Sequence, residues 1–229
     1  MVAADRMEFA GLRRHLGGWI RLQWPVGFSA EAEWNGKRLV LLANGPGPAL
    51  AGEAADAALE RGAVSQIASV GFCGALHPDL ESGEVFVAGQ VRAIDGGKSY
   101  TAKPPKTRKR FRSGVLLSGD RVIQTVAEKR ELRAAGGDAV DMEAAAVAER
   151  ADRRGIPFFC IRTVTDRADE GFAVDLNAAR DENGRFRRGQ IVWHALRRPV
   201  SGIPELIRLE RRSRLAARTL GDFLAACQF

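Results

Sequence analysis

The sequence predicts an α/β fold built around a mixed, mostly buried central sheet. Strand-like and helix-like stretches alternate regularly along the chain. The stretch at 157–165 is strongly apolar and that at 64–70 reads as a buried strand, as strands covered on both faces do. No linker is rich enough to divide the chain and no internal repeat is present, so residues 1–229 read as one domain.

In chain order, residues 1–5 form a short, apolar first strand and residues 8–16 a helix. Segments 31–34 and 38–43 flank Asn35-Gly36, a dipeptide that suits a tight hairpin turn. Residues 48–61 form an Ala-rich helix that ends at Gly62. Strands follow at 64–70 and 84–94, then a polar, Pro-rich loop over 96–112 and a strand at 115–118. A helix over 121–134, a short strand at 139–142 and a helix over 143–154 precede the apolar strand at 157–165. The tail, 188–226, reads as helical with breaks at Pro199 and Pro204.

Composition narrows the function classes. The 229 residues are 45% hydrophobic, enough for a real core. No apolar run approaches the roughly 20 residues that span a bilayer. The opening MVAADRMEFAGL is charged at once, unlike a signal peptide. The sequence leaves open whether the native start lies upstream of Met1. Cys73, Cys160 and Cys227 are odd in number and scattered, which points to a reducing cytoplasm rather than a disulfide framework. His15, His77 and His194 lie far apart, and neither a metal site nor a cofactor is expected. The net charge of +7 is concentrated in 103–112 (KPPKTRKRFR) and 185–218. Nucleic-acid binding would rest on that charge alone, with no recognised motif.

In α/β folds, function gathers where strands end and helices begin. The loops expected to matter are Asn44-Gly45-Pro46-Gly47, Gly71-Phe72-Cys73-Gly74 and the turn from Asp166 to Glu170. Val140-Asp141-Met142-Glu143 places carboxylates at the start of an Ala-rich helix, where the dipole favours them as simple caps. The apolar strand Pro157 to Thr165 releases Asp166 at its end, either as an acid aimed into a cleft or as a helix cap. Arg162, mid-strand among apolar residues, needs a carboxylate partner, with Asp166 or Glu143 as the candidates.

Taken together, the stretch AVDMEAAAVAERADRRGIPFFCIRTVTDRADE closely resembles the family of nucleoside phosphorylases and methylthioadenosine/S-adenosylhomocysteine nucleosidases. MEFAGL resembles that family's first helix, NGPGP its first glycine loop, SVGFCGAL its second and LLSGDRVI its base-site segment. The resemblance implies a three-layer α/β/α fold and a site for a purine nucleoside. Glu143 would bond the ribose hydroxyls, and Met142 would pack on the sugar. Asp166 would donate a proton toward N7 of the purine, with Arg162 orienting it. Glu8 falls where nucleosidases position the attacking water. Gly45, Gly71 and Phe72 would line the sugar end, and Val122 and Ile123 the base. A homo-oligomer is implied, with a dimer favoured.

The chemistry suits these residue types. Cleaving an N-glycosidic bond builds an oxocarbenium-like sugar and a negative leaving base, and protonating the base lowers the barrier by ~10²–10⁴-fold. A second carboxylate near the sugar stabilises cation character and activates water. Phosphorylases of the family bind phosphate with an Arg-x-Gly-Ser/Thr pattern. Here the stretch is Ser69-Val70-Gly71-Phe72, which lacks both the Arg and the small hydroxyl. Water is therefore the favoured nucleophile, and the expected activity is hydrolysis of an adenosine-type 5′-substituted nucleoside. A phosphate-dependent phosphorylase and a non-catalytic nucleoside-binding module are the alternatives. Phe72 and Val122, which stand where the family usually has a small hydroxyl and an aromatic, favour the latter.

The region 186–229 reads as a basic helical extension. It resembles, more loosely, the hopanoid-associated phosphorylases, whose implied substrate is an adenosyl lipid. Ile191, Trp193, Leu196, Val200, Ile203, Leu206, Ile207 and Leu209, with arginines between them, suit peripheral contact with an anionic membrane, a last helix packed on the sheet or an oligomer contact.

Overall fold

In a computed structural model, which describes residues 1–172, 175–179 and 199–229, ten strands form one mixed sheet that separates two helical layers. Its first half is an open arm. β1 (Val2–Ala3) lies parallel to β4 (Lys37–Ala43), which pairs antiparallel with β3 (Phe28–Trp34) and through it with β2 (Ile20–Arg21). Asn35 and Gly36 make the hairpin turn with φ of 52° and 71°, the left-handed pair that such a turn requires. The second half closes on itself. β5 (Ile67–Ala75) pairs with β10 (Phe158–Asp166), β10 with β6 (Val85–Ala93), β6 with β8 (Arg112–Ser118), β8 with β9 (Ala139–Asp141), and β9 with the end of β5. β7 (Ser99–Thr101) adds to β6 within the stretch expected to be a loop.

The strand period of two assigns residues to faces. Leu42, Ile67, Phe158 and Cys160 join one core with the alanines of α2 (Pro48–Arg61) and α4 (Ala144–Arg154). Their neighbours Leu41, Ala68, Phe159 and Ile161 join the other, with α1 (Ala10–Arg13) and α5 (Pro199–Leu224). The three-layer α/β/α arrangement follows directly. Closure of β5 to β10 into a ring was not predicted, because β5 acquires three partners along its length.

Several elements differ from expectation. Gly71 to Gly74 is not a loop but the continuation of β5, drawn out by pairing with Arg162, Thr163 and Val164 of β10. The helix expected from residue 121 begins only at Val126, as α3 (Val126–Ala134). Thr125 and Glu128 close a reciprocal cap there, which fixes the start. The first helix is shorter, a 3₁₀ turn over Arg6–Phe9 leading into α1. Pro204 lies inside α5 and does not break it. Proline removes one backbone donor, and this one is exposed near the beginning of a long helix.

The last turns of α5 belong to the core. Leu220 and Leu224 are fully buried beside Phe9 and Leu12. Gly11 and Gly221 bring α1 and α5 together so closely that a Cβ on either would strike the other helix's backbone. Ile207 and Leu215 are exposed. Ile191, Trp193 and Leu196, with the side chains of Val200, Ile203 and Leu206, lie outside the described residues. No described helix is long and apolar enough to cross a membrane. Removing everything after residue 184 would thus strip core along with the basic segment.

Gly221→Ala is expected to destabilise the protein by ~1–3 kcal/mol through overpacking, and Leu220→Ala by ~2–5 kcal/mol through the cavity it leaves. Urea denaturation measures both.

Candidate active site

Arg162 sits in the middle of β10, 1% exposed. Its Nε and Nη2 donate to Asp141 Oδ2 at 3.0 and 2.5 Å, its Nη2 also to Ser69 Oγ at 2.7 Å, and its Nη1 to the Ile161 carbonyl at 3.1 Å. The expected partner was Asp166 or Glu143. Instead Asp141 takes the guanidinium, because β9 ends alongside β5 and points that carboxylate inward. Asp141 Oδ2 also accepts the Ala144 amide at 3.0 Å, so the same group caps α4. Arg162 therefore does not orient Asp166.

Glu8, at the end of the 3₁₀ turn, is 4% exposed. Its Oε2 accepts the amides of Ala4 and Asp5 at 2.8 and 3.0 Å, and its Oε1 accepts that of Phe72 at 3.0 Å. Gly71 makes this seat possible: a Cβ there would lie 2.5 Å from Oε1. Burial pushes the Glu8 carboxyl up to about 7, against the pull of the three amides and of Arg162. Phe72 is half-buried and contributes its backbone amide, not only its ring, to this end of the site.

Glu143 stands on the facing helix start. Its Oε1 accepts the Gly47 amide at 2.8 Å, which ties the first glycine loop to α4. Burial, reinforced by the charge of Asp141, pushes it up to about 7 as well. Met142 beside it is half-buried. Gly45 donates to the Ala4 carbonyl at 2.9 Å with φ of 125°, and a Cβ there would lie 2.5 Å from Leu50. The loop thus packs against the segment that carries Glu8.

Asp166 closes β10 at a bulge between Val164 and Asp166 that turns the carboxylate inward. Gly74 opposite leaves room for it, since a Cβ would lie 2.9 Å from Oδ2. Asp166 Oδ2 accepts from Lys129 Nζ at 2.5 Å, and Oδ1 accepts from Thr165 Oγ1 at 2.8 Å. Lys129 was missed in the sequence, where it stands in the polar run of α3. The base-site segment is latched from the far side. Asn177 accepts the Val122 amide and donates to the Val122 carbonyl, each at 2.9 Å, and Phe172 donates to the Gln124 carbonyl at 2.9 Å. Ile123 is buried with Leu76, Leu117 and Val140.

The site therefore has a carboxylate at each of three stations: Glu8 and Glu143 around Arg162, and Asp166 on Lys129. Among the described residues no group of His, Cys, Asp and Glu is placed to hold a metal. Such an arrangement can accept hydrogen bonds from a polyol, take a proton from water and return one to a leaving group.

Three comparisons bear on this arrangement. A family model described as the phosphorylase superfamily matches residues 26–109 and 103–197. An aminodeoxyfutalosine nucleosidase of Campylobacter jejuni is 24% identical over 172 residues, covering 64% of this chain and 75% of that protein. The 5′-methylthioadenosine/S-adenosylhomocysteine nucleosidase of Neisseria meningitidis, in complex with methylthio-immucillin-A, superposes with a TM-score of 0.73 at 21% identity, over 98% of this chain and 95% of its own. A futalosine hydrolase mutant of Helicobacter pylori superposes at 0.72 and 16% identity, over 98% and 95%. Structures this distant in sequence attest the fold.

Arg162→Met is expected to cost ~3–5 kcal/mol, since it leaves Asp141 buried and unpaired; denaturant titration tests this. Glu8 and Glu143 hold their protons more tightly folded than unfolded. Their contribution is full below about 4.5 and is lost as pH rises through about 7. The melting temperature should fall across that window, and Glu8→Gln should flatten the fall.

Proposed function

The chain belongs to the phosphorylase superfamily, and from that premise we propose that it is a purine nucleosidase, releasing the base of an adenosine-type, 5′-substituted nucleoside by attack of water. The observation that carries the choice of water is the seat of Glu8. Its carboxylate covers Gly71 and accepts the Phe72 amide. That amide is the kind of backbone donor with which a glycine-rich segment would hold an anion. A carboxylate in this place repels phosphate. The Arg162 guanidinium, a cation that could have offset the repulsion, is committed to Asp141, Ser69 and a carbonyl.

In this reading Glu143 accepts hydrogen bonds from the ribose hydroxyls, held in place by the Gly47 amide. Met142 covers the sugar, with Gly45, Gly71 and Phe72 around its other side. Val122 and Ile123 border the base, and their segment is steadied by Asn177. As the bond breaks, positive charge grows on the sugar between Glu8 and Glu143, and negative charge grows on the base at Asp166. Glu8 takes a proton from water. A base that titrates near 7 is well matched to that task at neutral pH. Asp166 delivers a proton to the departing purine. The named relatives support the class, since the curated one is itself a nucleosidase.

Incubation with adenosine, methylthioadenosine and S-adenosylhomocysteine, with and without phosphate, should release adenine in both conditions. A strict phosphate requirement would overturn hydrolysis, and no release from any purine nucleoside would favour a binding module. Asp166→Asn should lower kcat by ~10²–10⁴-fold with nucleoside binding retained. Activity of the free enzyme should rise with pH through about 7 as Glu8 ionises.

A further inference from the structure

We propose that Lys129 is the positioning residue of this site, holding Asp166 in place and resupplying the proton that Asp166 gives to the leaving base. The proposal rests on the nucleosidase reading and deepens it. Lys129 is 1% exposed on α3, a position lysine almost never occupies unless paired. The helix is fixed at its start by the Thr125–Glu128 cap, so Lys129 lies one turn in from an end whose dipole disfavours a cation. Its Nζ nevertheless reaches Asp166 Oδ2 at 2.5 Å and the Arg167 carbonyl at 2.6 Å. The ring of Phe172 covers it at 5.9 Å. A surface role is excluded by this burial. A purely apolar contact is excluded by the two hydrogen bonds.

Lys129 Nζ and Asp166 Oδ2 stand 2.5 Å apart, within reach of direct proton transfer. An ammonium and a carboxylate taken out of water together are each costly to keep charged, and passing one proton between them neutralises both. Lys129 gives a proton to Asp166 as Asp166 gives one to the base. The electron pair of the glycosidic bond goes to the base, which leaves neutral. Water adds to the sugar carbon and loses its proton to Glu8. The cycle closes when Glu8 releases that proton to solvent and the Lys129 amine takes one up. The bond to the Arg167 carbonyl keeps the amine from swinging away in between.

The test compares Lys129→Arg with the unsubstituted protein on methylthioadenosine and on 4-nitrophenyl riboside, whose leaving group departs without protonation. Arginine keeps the charge and a donor but does not give up its proton. The expected result is a KM within about threefold, a kcat on the purine nucleoside down by ~10²-fold or more, and a loss below about tenfold on the activated riboside. Equal losses on both substrates, or full purine activity, would overturn the proposal. If the arginine variant does not fold, Lys129→Met with added ethylamine replaces it. Rescue by the amine and not by guanidinium is expected, and rescue by both or neither would sink the idea. Failure of the unsubstituted protein on every purine nucleoside would instead refute the nucleosidase reading itself.

Discussion

The buried ion pair between Arg162 and Asp141 is the constraint on which the rest of the site is arranged. It joins β10 to β9, and the bond to Ser69 adds β5, so one side chain locks three strands where the sheet closes into a ring. A guanidinium in such a place is tolerated only with its charge answered and its donors filled. Burial opposes its charge, while the carboxylates of Asp141 and Glu143 outweigh that and hold it charged. Two residues beyond Asp141 the chain presents Glu143. The same positive centre lies close enough to lower the energy of ionised Glu8 and Glu143 together. Without it, two buried carboxylates facing each other would repel.

The carboxylates illustrate how environment separates roles for one chemical group. Glu8 and Glu143 are held by backbone amides in a dry setting and titrate near neutrality. Asp166 is held by an ammonium and a hydroxyl at the end of β10. Glu170, just beyond, is paired in two places with Arg212 of α5, which pulls its carboxyl down to about 2 and makes it a structural anion. The turn after β10 is thereby tied to the last helix while its first residue faces the site.

Much of this was legible in the sequence, and the exceptions have physical causes. Local signals read well where one residue type has one use. Asn35-Gly36 made its turn, and the helix from Pro48 to Arg61 ended at Gly62 as read. Glu8, Glu143 and Asp166 were named from their motifs. The partner of Arg162 was not legible, since three carboxylates stood within reach in sequence and only strand closure decides among them. Asp141 was given no role of its own in the sequence, yet it both caps the helix start and answers a buried charge. Lys129 was hidden because AEKREL looks like a solvated helix face. Its burial comes from the distant segment carrying Arg167 and Phe172. The Gly71 segment misled because glycine suggests a turn, whereas here it serves the close approach of Glu8 within a strand.

The glycine contact between α1 and α5 has a consequence for the order of events during synthesis. Glu8 emerges from the ribosome long before Ala217 and Gly221, on which the helix that follows it rests. Phe9 and Leu12 have no complete surface to bury against until that last helix has been made. A growing chain can therefore assemble its sheet and the Asp166 end of the candidate site while the Glu8 end waits. Until then the Glu8 end of the candidate site lacks its support, so the three carboxylates are brought to their final places only after α5 has been made.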